Sequence, residues 1–215
     1  MKWWAQKKQV PVLSPIDGYN LWASSYSQEN NPIKNLSDTL IEKFLPNLSD
    51  QTVLDAGCGT GKFCSIAERQ QARKTVGLDL SQAMINTAKH NCAHTELICA
   101  DLTKTQFEAD YFDVVICALV LGHIQNLGDG LDTLLKAVKK NGIIIITDFH
   151  PFLTMSQSKR TFKNASGKEF EIMHHLHLFE HYFTKLNRYG FVVLNFEEPL
   201  YQNTPVVFGI CAKKS

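Results

Sequence analysis

Three glycines lie within five positions of the chain, directly after the apolar run Thr52–Leu54. Because glycine has no Cβ, a turn built from Gly57, Gly59 and Gly61 lets the backbone come close to a ligand. A nucleoside triphosphate loop needs the pattern G-x-x-x-x-G-K-[ST], but the outer glycines are one position too close together here. Phe63 also stands where that loop carries its magnesium-binding hydroxyl. The turn is therefore not predicted to bind a nucleoside triphosphate.

The same segment argues against a dinucleotide-binding turn. The pattern G-x-G-x-x-G would place a third glycine at position 62, where the chain has Lys62. A suitable acidic residue does follow, since Asp79 ends the next predicted strand 24 positions after Asp55. A carboxylate at that strand end can hydrogen-bond ribose hydroxyls. The residues therefore favour a ribose-containing cofactor held by a different kind of glycine turn.

Two histidines could accept a proton from a substrate. His123 follows the fourth predicted strand and His150 ends the fifth, so both are expected at the carboxyl edge of the sheet. Histidine titrates near neutral pH, and either residue could act as a general base if an acceptor must lose a proton. The alternative is that each histidine only forms local hydrogen bonds in its loop.

Three further histidines, His174, His175 and His177, raise the question of a metal site. Neighbouring residues of a strand point to opposite faces, and no nearby carboxylate or cysteine completes a recognisable set of ligands. The six cysteines of the chain form no C-x-x-C pair and are predicted to be free thiols. No metal is expected, and the histidines are assigned to a lid or a surface cluster.

Alternating strands and helices are predicted to position these residues, as in a parallel sheet covered by helices on both faces. The predicted strands are Thr52–Asp55, Lys74–Asp79, Thr95–Ala100, Phe112–Ala118, Gly142–Phe149, Phe191–Glu198 and Val206–Ala212. The predicted helices are Leu36–Leu45, His177–Tyr189 and three that begin near Lys62, Ser81 and Asp129, the last with its stop signal at Asn141-Gly142. The run Ile143–Ile146 is expected of a central strand.

The connection 150–176 is far longer than the roughly two to six residues that usually join such elements. Within it, Asn164–Gly167 separates two short runs and is predicted to form the turn of a hairpin. Long connections are commonly lids or binding loops. The cations Arg160, Lys163 and Lys168 could receive an anionic substrate there, or they could simply be solvated.

Five segments of the chain occur in the order and at the spacing of a known family. They are VLDAGCGTG (Val53–Gly61), GLDLSQAMI (Gly77–Ile85), CADL (Cys99–Leu102), FDVVICALVLGHI (Phe112–Ile124) and GIIIITDFHP (Gly142–Pro151). Through them the chain resembles the class I S-adenosylmethionine-dependent methyltransferases, in particular small-molecule enzymes of biotin and quinone synthesis. The resemblance implies an α/β fold with a Rossmann-like, seven-stranded, mostly parallel sheet flanked by helices. Its last strand would be antiparallel, and a lid insert would follow the fifth strand.

We therefore predict one methyltransferase domain over residues 1–215. Its parts are an N-terminal helical lead (1–50), a cofactor-binding half (51–149), a lid or substrate insert (150–176) and a closing helix and strands (177–215).

The resemblance also implies how S-adenosylmethionine would be bound. Asp79 would hold both hydroxyls of the adenosyl ribose. Asp101 and the backbone of Leu102 would meet the amino edge of the adenine, Met84 would lie against its ring, and Ala118 would line the cofactor. The other predicted contacts are Asp55, Gly57, Cys58, Gly59, Gly61 and Leu80.

Some relatives in this family carry the sequence Y-x-x-W-A-x-x-Y in a segment that closes over the methionine end of the cofactor. The chain matches it over Tyr19–Tyr26. By this resemblance Tyr19 and Tyr26 are predicted cofactor contacts. The alternative is that both aromatic rings only anchor the N-terminal segment to the core.

The expected reaction moves a methyl group from S-adenosylmethionine to a small molecule, by O-, N- or C-methylation, and releases S-adenosylhomocysteine. One alternative is a methyltransferase of RNA or protein, with Trp3-Trp4 and Lys7-Lys8 as a docking segment. Another is a non-catalytic regulatory protein that binds S-adenosylmethionine. No residue identifies the acceptor.

Composition supports a small-molecule substrate. A formal charge of +1 over 215 residues gives no field that would attract nucleic acid. No segment reaches the roughly 18 apolar residues of a membrane span, and the N-terminus lacks the apolar region of a signal peptide. We therefore expect a cytoplasmic protein with neither a membrane nor a nucleic-acid partner, and a homodimer is left open.

Overall fold

Strands and helices alternate along the chain, and the computed structural model describes them over residues 10–27 and 29–215. The helices are α1 (Pro15–Tyr26), α2 (Pro32–Phe44), α3 (Lys62–Arg69), α4 (Gln82–Asn91), α5 (Leu127–Ala137), α6 (Pro151–Met155) and α7 (Phe179–Arg188), with a 3₁₀ turn at Leu121–His123. The strands are β1 (Val12–Leu13), β2 (Thr52–Ala56), β3 (Lys74–Asp79), β4 (Glu96–Cys99), β5 (Phe112–Ala118), β6 (Val138–Phe149), β7 (Thr161–Lys163), β8 (Glu169–Ile172), β9 (Phe191–Glu197), β10 (Leu200–Tyr201), β11 (Thr204–Pro205) and β12 (Val207–Lys214). The predicted docking pairs Trp3-Trp4 and Lys7-Lys8 lie outside the described residues.

Seven strands form the main sheet in the order β4-β3-β2-β5-β6-β12-β9. The first five pair in parallel, and β12 lies antiparallel between β6 and β9. Strands covered on both faces are built from continuous apolar runs, and accordingly all of β2 and residues Ile144–Ile146 of β6 are buried. The predicted fold class, a mostly parallel seven-stranded sheet with an antiparallel last strand, is confirmed.

Alternate residues of the central strands point to opposite faces and build two cores. On one face, Leu54 and Ile144 pack with the leucines of α5 and with Tyr182 of α7. On the other face, Val53 and Ile145 pack with side chains of α2 and α3. Because helices cover both faces, the carboxyl ends of the parallel strands form the edge at which such sheets bind ligands.

The two N-terminal helices begin at capping signals. The sequence-based prediction lacks α1, which starts after Ser14, the residue that caps it, with Pro15 at the first helical position. The start of α2 at Leu36 was predicted wrongly. Asn31 caps this helix and Pro32 begins it, so α2 is four residues longer at its N-terminus.

The boundary between α5 and β6 also corrects the prediction. The helical pattern runs to Asn141, but α5 ends at Ala137, and Val138 is already extended and pairs with Phe112 of β5. Asn141 instead adopts a left-handed conformation, with φ 64°, inside β6. Pairing with a neighbouring strand overrides the local helical pattern. The starts of α5 and α7 are each displaced by two residues from those expected.

The insert after β6 packs against the N-terminal segment. The predicted hairpin is present as the antiparallel pair β7 and β8, and β8 also pairs in parallel with β1. Trp22 of α1 stacks on Phe162 of β7, with ring centroids 4.8 Å apart. The insert is joined to the main sheet edge as well, because His123 donates a hydrogen bond from Nδ1 to the Met173 carbonyl over 2.8 Å.

Candidate cofactor and acceptor site

A cavity of about 740 Å³ opens at the carboxyl ends of β3, β4 and β5 and against α1. The predicted site residues that line it are Tyr19, Tyr26, Gly57, Asp79, Leu80, Asp101, Leu102, Ala118 and His123. The tertiary structure thus gathers residues from both ends of the predicted cofactor half and from the N-terminal lead. Val120, Asn126 and Asp129 also line the cavity. Sequence reasoning did not select them, although Val120 lies within the motif Phe112–Ile124, because no residue type among them indicated a contact.

The glycine turn after β2 has the backbone that only glycine adopts readily. Gly57, Gly59 and Gly61 have φ values of 77°, 52° and 84°. A Cβ on Gly57 would overlap the side chain of Val120, whereas Gly59 has open space there. The residue before Val120, Leu119, is itself left-handed at φ 59°, a strained conformation for a residue with a Cβ. The turn and the end of β5 therefore approach each other closely.

Asp79 is tied into the glycine turn from the end of β3. Its Oδ2 accepts the backbone N–H of Gly59 at 2.8 Å, and its Oδ1 accepts that of Ser81 at 2.8 Å. Burial raises the pKa of Asp79, and these two N–H groups oppose the rise. Each carboxylate oxygen can accept more than one hydrogen bond. Asp79 can therefore hold the turn in shape and still bind two hydroxyl groups in the cavity.

Asp101 lies at the next strand end, after β4. Its Oδ1 accepts hydrogen bonds from the backbone N–H and the hydroxyl of Thr103, at 2.9 and 2.7 Å. Burial opposes the effect of these bonds, but together with Lys104 they lower the pKa of Asp101. The side chain of Asp101 is therefore ionised at neutral pH, beside the buried residue Leu102.

Three predicted contacts in the glycine turn do not line this cavity. Cys58 and Gly61 instead line an adjoining depression of about 460 Å³, which shares Tyr26, Gly57 and Ala118 with the cavity. Gly59 lines neither space and acts through its N–H bond to Asp79. The turn thus lies between two neighbouring spaces that share lining residues.

Asp55 and Met84 lie beneath the site. Asp55 is 1% exposed, and burial raises its pKa to about 7. One of its oxygens has no hydrogen-bond partner among the described residues, and the other accepts the Cys64 thiol at 3.5 Å. Met84 is 1% exposed in the first turn of α4. Neither side chain lines the cavity, so the predicted packing of Met84 on an adenine ring has no support from this geometry.

His123 and Tyr19 form a hydrogen-bonded pair on the cavity wall. The Tyr19 hydroxyl lies 2.9 Å from Nε2 of His123. Because Nδ1 of His123 must donate to the Met173 carbonyl, the uncharged ring can only accept from Tyr19 at Nε2. Burial, with a contribution from Arg160, holds the pKa of His123 well below its usual range. Burial raises the pKa of Tyr19 to about 12. Both groups are therefore neutral at physiological pH.

His150 lies away from the cavity. Its Nδ1 accepts the Phe152 N–H at 3.1 Å and caps α6, while its Nε2 lies 2.7 Å from Oε1 of Glu198. Of the two alternatives for this residue, the geometry favours local hydrogen bonding. The structure does not bring His150 together with the other predicted site residues.

His177 and the backbone of His175 form hydrogen bonds to the segment that follows β5. His177 Nε2 donates to the carbonyl of Ile124 at 2.8 Å, and the backbone N–H of His175 donates to the carbonyl of Gly122 at 2.7 Å. Within residues 10–27 and 29–215, no group of three or more histidine, cysteine or acidic side chains is arranged to hold a metal ion.

Comparison with known proteins identifies the family. A sequence profile described as a methyltransferase domain matches residues 28–195. The chain belongs to this family. The predicted membership of a methyltransferase family is thereby confirmed.

Named relatives share about half to three quarters of the chain. A malonyl-[acyl-carrier protein] O-methyltransferase from Salmonella typhimurium is 30% identical over 125 residues, which are 58% of this chain and 49% of that protein. A ubiquinone biosynthesis O-methyltransferase from Rickettsia bellii is 30% identical over 164 residues, 74% of this chain and 60% of that protein. The chain therefore spans about half to two thirds of the length of the curated relatives it matches.

A solved structure of an S-adenosylmethionine-dependent methyltransferase from Mesorhizobium loti has the same fold. Its TM-score is 0.68 at 21% identity, and the alignment covers 81% of this chain and 95% of that one. Over the described parts of the chain, no helix has both the length and the apolar character needed to cross a membrane.

Proposed function

We propose that the protein transfers the methyl group of S-adenosylmethionine to a small-molecule acceptor and releases S-adenosylhomocysteine. The observation that carries this proposal is the position of Asp79 and Asp101, which face one cavity from neighbouring strand ends. Asp79 would bind the ribose hydroxyls, while Asp101 and the backbone of Leu102 would bind the adenine edge. The cavity volume of about 740 Å³ lies within the range of roughly 300–1,000 Å³ typical of small-molecule sites.

The methionine end of the cofactor would lie at the glycine turn. Gly57 faces the cavity, and Cys58 and Gly61 face the depression that adjoins it. Tyr26 borders both spaces, and Tyr19 borders the cavity from the same helix. This arrangement supports the proposal that α1 covers the reacting end of the cofactor.

The cofactor supplies the electrophilic methyl group when bound. The chain must hold an acceptor in line with it and exclude water, because alignment removes much of the entropic barrier. His123 is a weak base here, since burial disfavours its charged form and the Tyr19 hydroxyl occupies its free nitrogen. We therefore propose that His123 orients Tyr19 and that the acceptor reaches the site without a proton to lose.

The cover over the site supports an acceptor of small size. The insert 150–176 and the N-terminal lead pack on each other through Trp22 and Phe162 beside the cavity. We propose that this layer forms the lid of the acceptor site. The relatives named above are O-methyltransferases by name, so oxygen is the proposed acceptor atom.

Calorimetric titration with S-adenosylhomocysteine tests the proposal. Asp79→Ala should weaken binding at least about a hundredfold, because it removes two hydrogen bonds to a charged group worth about 1.5–3 kcal/mol each. Glu108→Ala, which removes an exposed carboxylate, is the matched control and should bind like wild type. Wild-type protein that does not bind at millimolar ligand, or an Asp79→Ala variant with unchanged affinity, would refute the proposed function.

A further inference from the structure

Arg160, at the start of the β7 hairpin, is a buried cation without hydrogen bonds. Its side chain is 7% exposed, and none of its three guanidinium nitrogens has a hydrogen-bond partner among the described residues. An arginine carries five N–H donors and keeps its charge in proteins. Leaving such donors unpaired in a buried site is costly. The guanidinium N–H groups without partners therefore indicate a binding site for a group that accepts hydrogen bonds.

The neighbouring carboxylate, Asp148, balances the charge of Arg160 but does not use its donors. Oδ1 of Asp148 lies 3.7 Å from Arg160 Nη2, which is an ion-pair distance beyond hydrogen bonding. The oxygens of Asp148 are already occupied by the backbone N–H groups of Gly122 and Phe149, at 2.6 and 2.8 Å, and by the hydroxyl of Tyr182 at 3.2 Å. The ion pair with Asp148 thus holds the guanidinium of Arg160 in place, while its N–H groups remain without hydrogen-bond partners among the described residues.

A small cavity lies beside this guanidinium. The Arg160 cavity, as we call it, has a volume of about 120 Å³. The lining residues used in the argument are Tyr19, Trp22, His123, Phe149, Arg160 and His174. Tyr19 and His123 also line the proposed cofactor cavity, so this pair forms the wall that the two spaces share. The volume suits a carboxylate with a short carbon stem.

The surroundings make the Arg160 cavity selective for an anion. Trp22 and Phe149 give it apolar walls that limit hydration of a bound ion. Burial and the positive charge of Arg160 both lower the pKa values of His123 and His174, so these neighbours stay neutral. Lys159 at the rim is already paired with Glu171 at 2.9 Å. Arg160 is therefore the cation available to a bound ligand within this cavity, among the described residues.

We propose that the methyl acceptor is a carboxylic acid whose carboxylate is bound by the guanidinium of Arg160 in this cavity. The proposal rests on the proposed function, because it places the carboxylate of the acceptor beyond the Tyr19–His123 wall while the atom that is methylated faces the donor in the cofactor cavity. A planar guanidinium matches a carboxylate through two parallel N–H bonds.

The test is calorimetry with acetate, succinate and inorganic phosphate, each titrated into the full chain with and without saturating S-adenosylhomocysteine. A carboxylate should bind the wild type, and acetamide and succinamide should not. Arg160→Gln should weaken carboxylate binding at least tenfold. Arg160→Lys keeps the charge but loses the planar guanidinium, and its affinity for the carboxylate should fall between those of the wild type and Arg160→Gln.

Lys163→Gln provides the matched control, because it removes one charge from an exposed lysine of β7, the strand that follows Arg160, and should bind like wild type. S-adenosylhomocysteine affinity should be unchanged in every variant, which separates this proposal from the cofactor site. If Arg160→Gln does not fold, the carboxylate affinity of Arg160→Lys relative to that of the wild type tests the proposal. The proposal is overturned if no carboxylate binds up to tens of millimolar, if the Arg160 variants bind as wild type does, if Lys163→Gln is equally impaired, or if phosphate alone binds.

Discussion

The glycine turn allows a direct test of the packing between β2 and β5. Gly57→Ala adds a Cβ that must overlap the side chain of Val120, in a backbone conformation with φ 77°. Two costs therefore add: the left-handed conformation itself and the overlap with a neighbour that the end of β5 holds in place.

The magnitude follows from these two costs. A residue with a Cβ in a left-handed conformation loses about 1–2 kcal/mol, and an added methyl group in a packed site costs about 1–3 kcal/mol. Gly57→Ala should thus lower the free energy of unfolding by about 2–5 kcal/mol. For a chain of this size each kcal/mol lowers Tm by about 2–4 °C, so Tm should fall by roughly 4–20 °C.

Thermal denaturation of four variants measures the two costs separately. Gly59→Ala is the matched control, because Gly59 has φ 52° with nothing within 4 Å of the added Cβ. It should lose only the conformational cost, about 1–2 kcal/mol. Val120→Ala should relieve the overlap, so the double variant Gly57→Ala/Val120→Ala should be more stable than the sum of the single effects by about 1–3 kcal/mol. Equal losses at Gly57 and Gly59, or strict additivity with Val120→Ala, would refute the overlap.

Two other residues give independent predictions. The pKa of Asp55 in the folded protein is about 7 instead of 3.8, so its ionisation on raising the pH costs folding stability. When the pH rises from 5 to 8, the free energy of unfolding should fall by a few kcal/mol less in Asp55→Asn than in the wild type, as measured by denaturant titrations. Parallel curves of unfolding free energy against pH for the two proteins would contradict this. His150→Ala should lower the free energy of unfolding by about 0.5–2 kcal/mol, as loss of a helix cap does, while S-adenosylhomocysteine affinity stays unchanged. A large loss of affinity would instead connect His150 to the cofactor site.

The cofactor side of the site could be predicted because its signals are local. Gly57 follows β2, Asp79 ends β3 and Asp101 follows β4, and parallel strands end at the same edge of a sheet. Spacing along the chain was therefore enough to expect these residues together. The resemblance to the family implied a seven-stranded, mostly parallel sheet, and the structure adds the order of its strands.

The N-terminal lead was harder to predict. Its strand β1 has only two residues and exists through pairing with β8, about 160 positions later. Likewise, Val138 extends the helical pattern of α5 but pairs with β5 instead. A periodicity argument considers one segment at a time, and it cannot include the free energy of pairing with a distant segment.

The sequence by itself determined the family, the sheet and the carboxylates at the ends of β3 and β4, because turn conformation and strand burial depend on neighbouring residues. Only the tertiary structure decided the roles of the other polar groups. It directs His150 to Glu198, joins His123 to Tyr19, and leaves Arg160 buried beside Asp148. The physical reason is that desolvation and hydrogen bonding between distant segments set the charge and the free donors of a side chain, and neither is encoded in local spacing.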